Sequence, residues 1–174
     1  MPRAAKSPRP EPTPVERALR LLAFRARTEH ELDQALARAK VTPADRAAAL
    51  ARMRELGYID DPSLAQARAR QRLSKGDAPR MIAQRLLQQG VAAEEAHAAA
   101  KQATAGASED ELAVQALARR LRGRPVKDEK ERRRLLRALM QHGHRASSAV
   151  KALRLAMDGA EVESAEVDAD VDVE

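Results

Sequence analysis

Residues 54–62 read RELGYIDDP, and how this stretch is parsed decides the fold. Two adjacent acids, Asp60 and Asp61, follow the chain's only tyrosine, Tyr58, and precede Pro62. As chemistry, the pair would have to converge on a substrate from a protected cleft, as a general acid and base do. Adjacent residues at a helix entry point in different directions. No third acid stands at a local spacing that would complete a hard-metal cage. As architecture, every residue has a place. Gly57 suits the left-handed position just past a helix end. Asp61 is the expected N-cap of the next helix with Pro62 at its first position, and Asp60 adds negative charge near the positive helix end. Gly57, Tyr58, Ile59, Asp60 and Asp61 therefore read as a joint between helical units, with Tyr58 and Ile59 packed across the seam.

Working upstream, residues 15–27 (VERALRLLAFRAR) place Leu19, Leu22, Ala23 and Ala26 at i, i+3, i+4 and i+7, one face of a helix. Thr28 opens TEHE, a capping box with Glu31. Leu32 and Leu36 mark the second helix. Thr42 with Pro43 starts a third, which runs through Leu50, Met53 and Leu56 to Gly57. A shift of 50 residues carries Leu32, Leu36 and Val41 onto Ile82, Leu86 and Val91. A further 53 carries Ile82, Leu86 and Gly90 onto Leu135, Leu139 and Gly143, while Leu50 passes to Ala100 and then Leu153. The offsets predict three copies of a three-helix unit, over residues 15–58, 59–107 and 108–157. Small helical units cannot bury their apolar faces alone, so the expected fold is all-α, with tandem repeats stacked into an elongated, curved body. Residues 1–14 are expected to be a flexible, basic, proline-rich terminus and 158–174 an acidic disordered tail.

Composition agrees with helices. Alanine, arginine, leucine and glutamate dominate, and Phe24 and Tyr58 are the only aromatics. There is no cysteine, which excludes disulfides, thiolate zinc sites and cysteine nucleophiles. No run approaches the roughly 18 apolar residues of a membrane span, and the terminus MPRAAKSPRPEPTP lacks the apolar segment of a secretory signal. A cytoplasmic protein is expected. Residues 158–174 hold eight Asp or Glu and no Lys or Arg; removing those from 26 acids leaves 18 against 32 bases, so residues 1–157 carry a formal +14. Such a body suits a polyanion or an acidic protein groove.

The basic residues form stripes. Arg68, Arg72 and Lys75 stand at i, i+4 and i+7, Arg80 and Arg85 follow, and Arg25 and Arg27 end the first helix. ARRLRGRPVKDEKERRRLLR adds Arg119, Arg120, Arg122, Arg124, Arg132, Arg133, Arg134 and Arg137. The contact candidates are Arg25, Arg27, Arg68, Arg72, Lys75, Arg80, Arg85, Arg119, Arg120, Arg132, Arg133 and Arg137. With two aromatics, base stacking cannot drive binding, so any DNA contact should be to phosphates and non-specific. His142 and His144 lack both metal spacing and a third ligand, Ser147 and Ser148 lack a local base, and no phosphate-binding glycine loop occurs. No catalytic residue, metal or cofactor is expected. A free-standing helix-turn-helix DNA-binding protein is the alternative, although no helix combines a short glycine turn with side chains suited to base edges.

Three segments carry a resemblance to the RecX family of bacterial RecA regulators. ALRLLAFRARTEHELDQALARAKV in the first unit is similar to that family's Leu-Leu…Arg-x-Arg-[Ser/Thr]-x-x-Glu-Leu…Leu pattern. LGYIDDPSLAQARARQRLSKGDAPRMIAQRLLQQGV resembles its Leu-Gly-[Tyr/Phe]-[Ile/Leu]-[Asp/Asn]-Asp…Ala signature and the helix that follows. KERRRLLRALMQHGH is similar to its final segment, with Gln141-His142 where basic residues are frequent and His144 where an aromatic is usual; in the second unit Leu64 stands where Phe is common. The resemblance covers about residues 15–157. It implies three tandem three-helix repeats in a non-enzymatic protein that binds RecA and its filament on single-stranded DNA, and a monomer is expected. It further implies inhibition of the RecA ATPase and of strand exchange in DNA repair and the SOS response; affinity for bare DNA is expected to be weak and non-specific.

Overall fold

The computed structural model describes residues 11–169, with side chains through residue 158. Among the described residues the chain forms nine α-helices and no strand: α1 (Pro14–Phe24), α2 (Glu29–Arg38), α3 (Pro43–Glu55), α4 (Asp61–Ser74), α5 (Pro79–Gln88), α6 (Ala93–Thr104), α7 (Glu109–Leu121), α8 (Glu129–Gln141) and α9 (Ala146–Ala169). None of the described helices is long and apolar enough to cross a membrane.

Local chemistry sets most of the starts. Thr28 and Glu31 close the expected capping box, and Thr42 accepts from the Asp45 amide ahead of α3. A second box, Thr13 with Glu16, went unread in the sequence and corrects the first helix. It begins α1 at Pro14, and extended backbone at Arg25 (φ −161°) ends the helix at Phe24. The inward face is thereby Val15, Ala18, Leu19 and Leu22, whereas Ala23 and Ala26 are exposed.

The three-fold register is visible in burial. Leu32, Ile82 and Leu135 are buried, as are Leu36, Leu86 and Leu139, and then Leu50, Ala100 and Leu153. The turn after each middle helix has one left-handed residue at the same register position: Lys40 (φ +59°), Gly90 (φ +80°) and Gly143 (φ +91°). Two of these turns close by the same long bond, Val41 N–H to the Leu36 carbonyl and His144 N–H to the Leu139 carbonyl, each 3.1 Å. Lys40 adopts a conformation that costs an L-residue roughly 1 kcal/mol and glycine almost nothing. Because Lys40 is exposed, Lys40→Gly should stabilise the protein by about 0.5–1 kcal/mol, read as a higher urea midpoint. No gain would mean that the lysine stem contributes as much as the backbone loses.

Compactness divides the chain differently from the repeats. One unit takes the chain up to Leu64 together with Gln89–Val91; the other takes Ala65–Gln88 and the described residues from Ala92. In the first, α1, α2 and α3 pack on one another around Ala18, Leu32, Leu36, Ala49, Leu50 and Met53, with Val41 and Ile59 at the edge. The Thr28 hydroxyl donates to the Gln89 carbonyl at 2.6 Å, and a Cβ on Gly90 would lie 2.2 Å from that of His30. In the second unit, α5 packs on α6, and α7, α8 and α9 surround Leu117, Leu139 and Leu153. There the Ala78 N–H donates to the His142 carbonyl at 2.8 Å, and a Cβ on Gly143 would lie 2.7 Å from that of Met81. Residues 28 and 78, and residues 89 and 142, are register equivalents, so one type of joint occurs twice.

The last helix runs past the expected boundary at residue 157. The backbone of α9 is helical to Ala169, in keeping with the alanines and glutamates of that stretch. The remainder of the segment read as a disordered tail, residues 170–174, lies outside the described residues, as do residues 1–10 of the segment read as a flexible terminus.

Candidate binding surface

The two aspartates of the opening stretch serve two different helices. Gly57 is left-handed (φ +70°) at the end of α3. Asp60, not Asp61, caps α4: its carboxylate accepts from the Ser63 amide at 3.0 Å and its carbonyl from Leu64. The Ser63 hydroxyl, with its amide second, holds the Asp60 carboxyl below the ordinary value. Asp61 turns away and accepts the Glu29 amide at 3.0 and 3.2 Å, serving the first turn of α2. Ile59 packs on the core of the first unit, as expected. Tyr58 does not: it is 56% exposed, because the turn places it outside the apolar face. It is a surface group, and truncating it removes little buried area.

The predicted cations differ in how free they are. Arg25 pairs with Glu31 at 3.2 Å, and Arg27 donates to the Leu21 carbonyl at 3.3 Å. Arg132 and Arg133 share Glu129 at 2.5 and 3.1 Å, and together, Arg132 foremost, they lower its carboxyl to about 2. Arg68 is half-buried on α4. Lys75 and Arg137 are exposed and have no partner among the described residues.

The remaining five converge on the turn after α4. At its centre is Asp77, 1% exposed, which was not singled out in the sequence. Arg85 Nε lies 3.2 Å from Asp77 Oδ2, though out of line for a hydrogen bond, and Arg72 lies 3.9 Å from the same oxygen. His142 Nδ1 is 2.6 Å from Asp77 Oδ1, and its Nε2 is 3.0 Å from Arg120 Nη2. A guanidinium only donates, so Nε2 is the acceptor there and Nδ1–H faces the carboxylate. Arg119 donates to the Leu73 carbonyl at 2.8 Å, and Arg80 donates to the carbonyls of Gly143 and His144. Arginines read as a free stripe thus also pin the second repeat to the third.

This arrangement has chemical consequences. An Asp–His pair is part of a hydrolytic triad, but Arg120 occupies the nitrogen that would take a proton. Among the described residues no group of three His, Cys, Asp or Glu side chains is placed to hold a metal. What the surface offers is Lys75, Arg119 and Arg120 beside one buried carboxylate, a setting for binding anions.

His144 takes the register position of Val41 and Val91 and is 4% exposed. Its Nε2 donates to the Gly76 carbonyl at 3.0 Å, which satisfies a polar ring in an apolar position. Burial holds its pKa below the ordinary value, with the Gly76 bond acting in the opposite direction. The sign follows: the unfolded chain takes the proton first, so stability from neutral His144 is complete above the unfolded value near 6.5 and is lost as pH falls through the folded one. The urea midpoint should fall between pH 7.5 and 5.5, and His144→Gln should reduce that slope; an unchanged slope would assign it to other groups.

Three-helix units in tandem with a cationic surface define a class, the basic, all-helical repeat proteins. Within that class, residues 15–53 match the first three-helix domain of RecX and residues 60–99 the second. The regulatory protein RecX of Vibrio parahaemolyticus is 35% identical over 131 residues, 74% of this chain and 82% of that one. That of Thermobifida fusca is 37% identical over 154 residues, 86% of this chain and 80% of that one. The crystal structure of RecX from Lactobacillus salivarius shares the fold, with a TM-score of 0.58 at 17% identity over 83% of this chain and 94% of that one. The chain belongs to the RecX family of regulatory proteins.

Proposed function

We propose that the chain binds RecA and its filament on single-stranded DNA and thereby inhibits the RecA ATPase and strand exchange, as part of DNA repair and the SOS response. The observation that carries this reading is the cationic surface at the turn after α4. It lies on a chain of the RecX family whose residues 1–157 carry a formal +14. Arg119 and Arg120 are exposed yet anchored by Leu73 and His142, so little conformational entropy is lost when they meet phosphate or carboxylate. Lys75 adds a mobile charge beside them. Contacts of this type carry no base readout, so affinity for bare DNA should be weak and steeply salt-dependent.

The test is the RecA ATPase on single-stranded DNA, titrated with this protein, alongside binding to bare DNA and to the filament. Inhibition at substoichiometric ratios, and binding to the filament at least about tenfold tighter than to DNA, are expected. The pair Lys75→Glu and Arg137→Glu, both exposed, should weaken inhibition about tenfold while leaving the unfolding midpoint in place. Absence of inhibition, or equal affinity for DNA and filament, would overturn the reading. Arg72 is a poor probe, because reversing its charge acts on Asp77 and the fold.

A further inference from the structure

We propose that the groove between α5 and α6 is a docking site for the acidic carboxy-terminal segment, residues 158–174, of a second copy of this chain. The groove has a volume of about 320 Å³, enough for a few aliphatic side chains. Its floor is Ala83, Leu87 and Ala100, with Leu87 40% exposed, and its rim carries Arg80, His97 and Lys101. No carboxylate lines it.

The rim is arranged for anions. The Gly143 and His144 carbonyls hold the Arg80 guanidinium, whose remaining N–H groups can meet a carboxylate. His97 Nδ1 donates to the Ala93 carbonyl at 2.6 Å, which fixes the ring at the rim. Lys101 is exposed and has no partner among the described residues. An apolar floor between cations suits a segment that alternates aliphatic and acidic side chains, and does not suit a sugar–phosphate backbone. Residues 158–174 (DGAEVESAEVDADVDVE) have that composition: eight acids, no Lys or Arg, and Val162, Val167, Val171 and Val173 interspersed. In its own chain, α9, whose backbone includes residues 158–169 of this segment, packs on α7 and α8, whereas α5 and α6 form the groove. The occupant assigned is the segment of a second copy, and the mass measurement below separates it from the same segment of one chain. One short segment in one groove makes a weak contact, so the chain stays monomeric when dilute and self-associates as concentration rises at low salt.

The experiment uses the full chain and a fluorescein-labelled peptide, DGAEVESAEVDADVDVE, followed by anisotropy at low salt. Saturable binding is expected, weakened about tenfold by Lys101→Glu and severalfold by Leu87→Ser. Arg137→Glu, on α8, should change it less than about twofold. Both groove positions are exposed, and circular dichroism checks that the variants fold. No binding, an equal loss from Arg137→Glu, or no loss from Leu87→Ser would overturn the proposal. Light scattering should give a mass that rises with concentration for the native chain and stays constant for Lys101→Glu. A constant monomer mass for the native chain, with peptide binding intact, would overturn the second-copy assignment.

Discussion

Gly143→Ala should destabilise the second unit by about 3 kcal/mol or more, and Gly90→Ala should do the same to the first. Two costs add. A left-handed backbone costs an L-residue about 1–2 kcal/mol, and overpacking a rigid contact costs about 1–3 kcal/mol. The second cost applies because the new methyl would meet a neighbouring Cβ fixed to the main chain: Met81 at 2.7 Å for Gly143, and His30 at 2.2 Å for Gly90. Neither neighbour can rotate away by a rotamer change. Gly57 and Gly106 are the controls, since both are left-handed but nothing lies within 4 Å of an added Cβ. Alanine there should cost only the backbone share. Urea denaturation of the four variants separates the two contributions, and equal losses at all four would exclude the steric share.

Asp77→Ala should cost about 3 kcal/mol, towards the low end for breaking a buried ion pair because Arg72 and Arg85 are 29% and 34% exposed. The loss arises less from the missing attraction than from what remains: Arg85 and His142 Nδ1–H left at a desolvated site without an acceptor. Asp77→Ala combined with Arg85→Leu should therefore recover part of the stability, as a double-mutant cycle on thermal unfolding would reveal. Strict additivity of the two substitutions would show that they do not interact. The same cycle bears on function, because Arg120 is positioned through His142 and loses its anchor when Asp77 no longer fixes that ring.

The sequence made the architecture legible where a short stretch of chain determines the outcome. Thr28 with Glu31, Thr42 with Pro43 and the left-handed Gly57 all act within one helical turn, and all appear where expected. So does the register of Leu32, Ile82 and Leu135. The first misreading was local as well: Thr13 with Glu16 was as readable as Thr28 with Glu31, and missing it shifted the face of α1 towards Ala23 and Ala26. Lys40 hid a left-handed turn because a lysine does not announce one, although Gly90 and Gly143 occupy the same register position.

Tyr58 and the arginines mark a different limit. Size and scarcity suggested that Tyr58 would be buried, but the direction of a side chain just past a helix end depends on the turn, and this one leaves it at the surface. Asp77 drew no notice in the sequence because its partners lie as far as 65 residues along the chain, and no periodicity links them. An all-α chain with three registered copies of one unit was fixed by the amino-acid pattern alone, since capping, glycine conformation and apolar spacing are short-range effects. Which cations hold the fold and which face a partner was decided only by the tertiary structure. Hydrogen bonding and desolvation at the joints depend on groups that folding alone brings together.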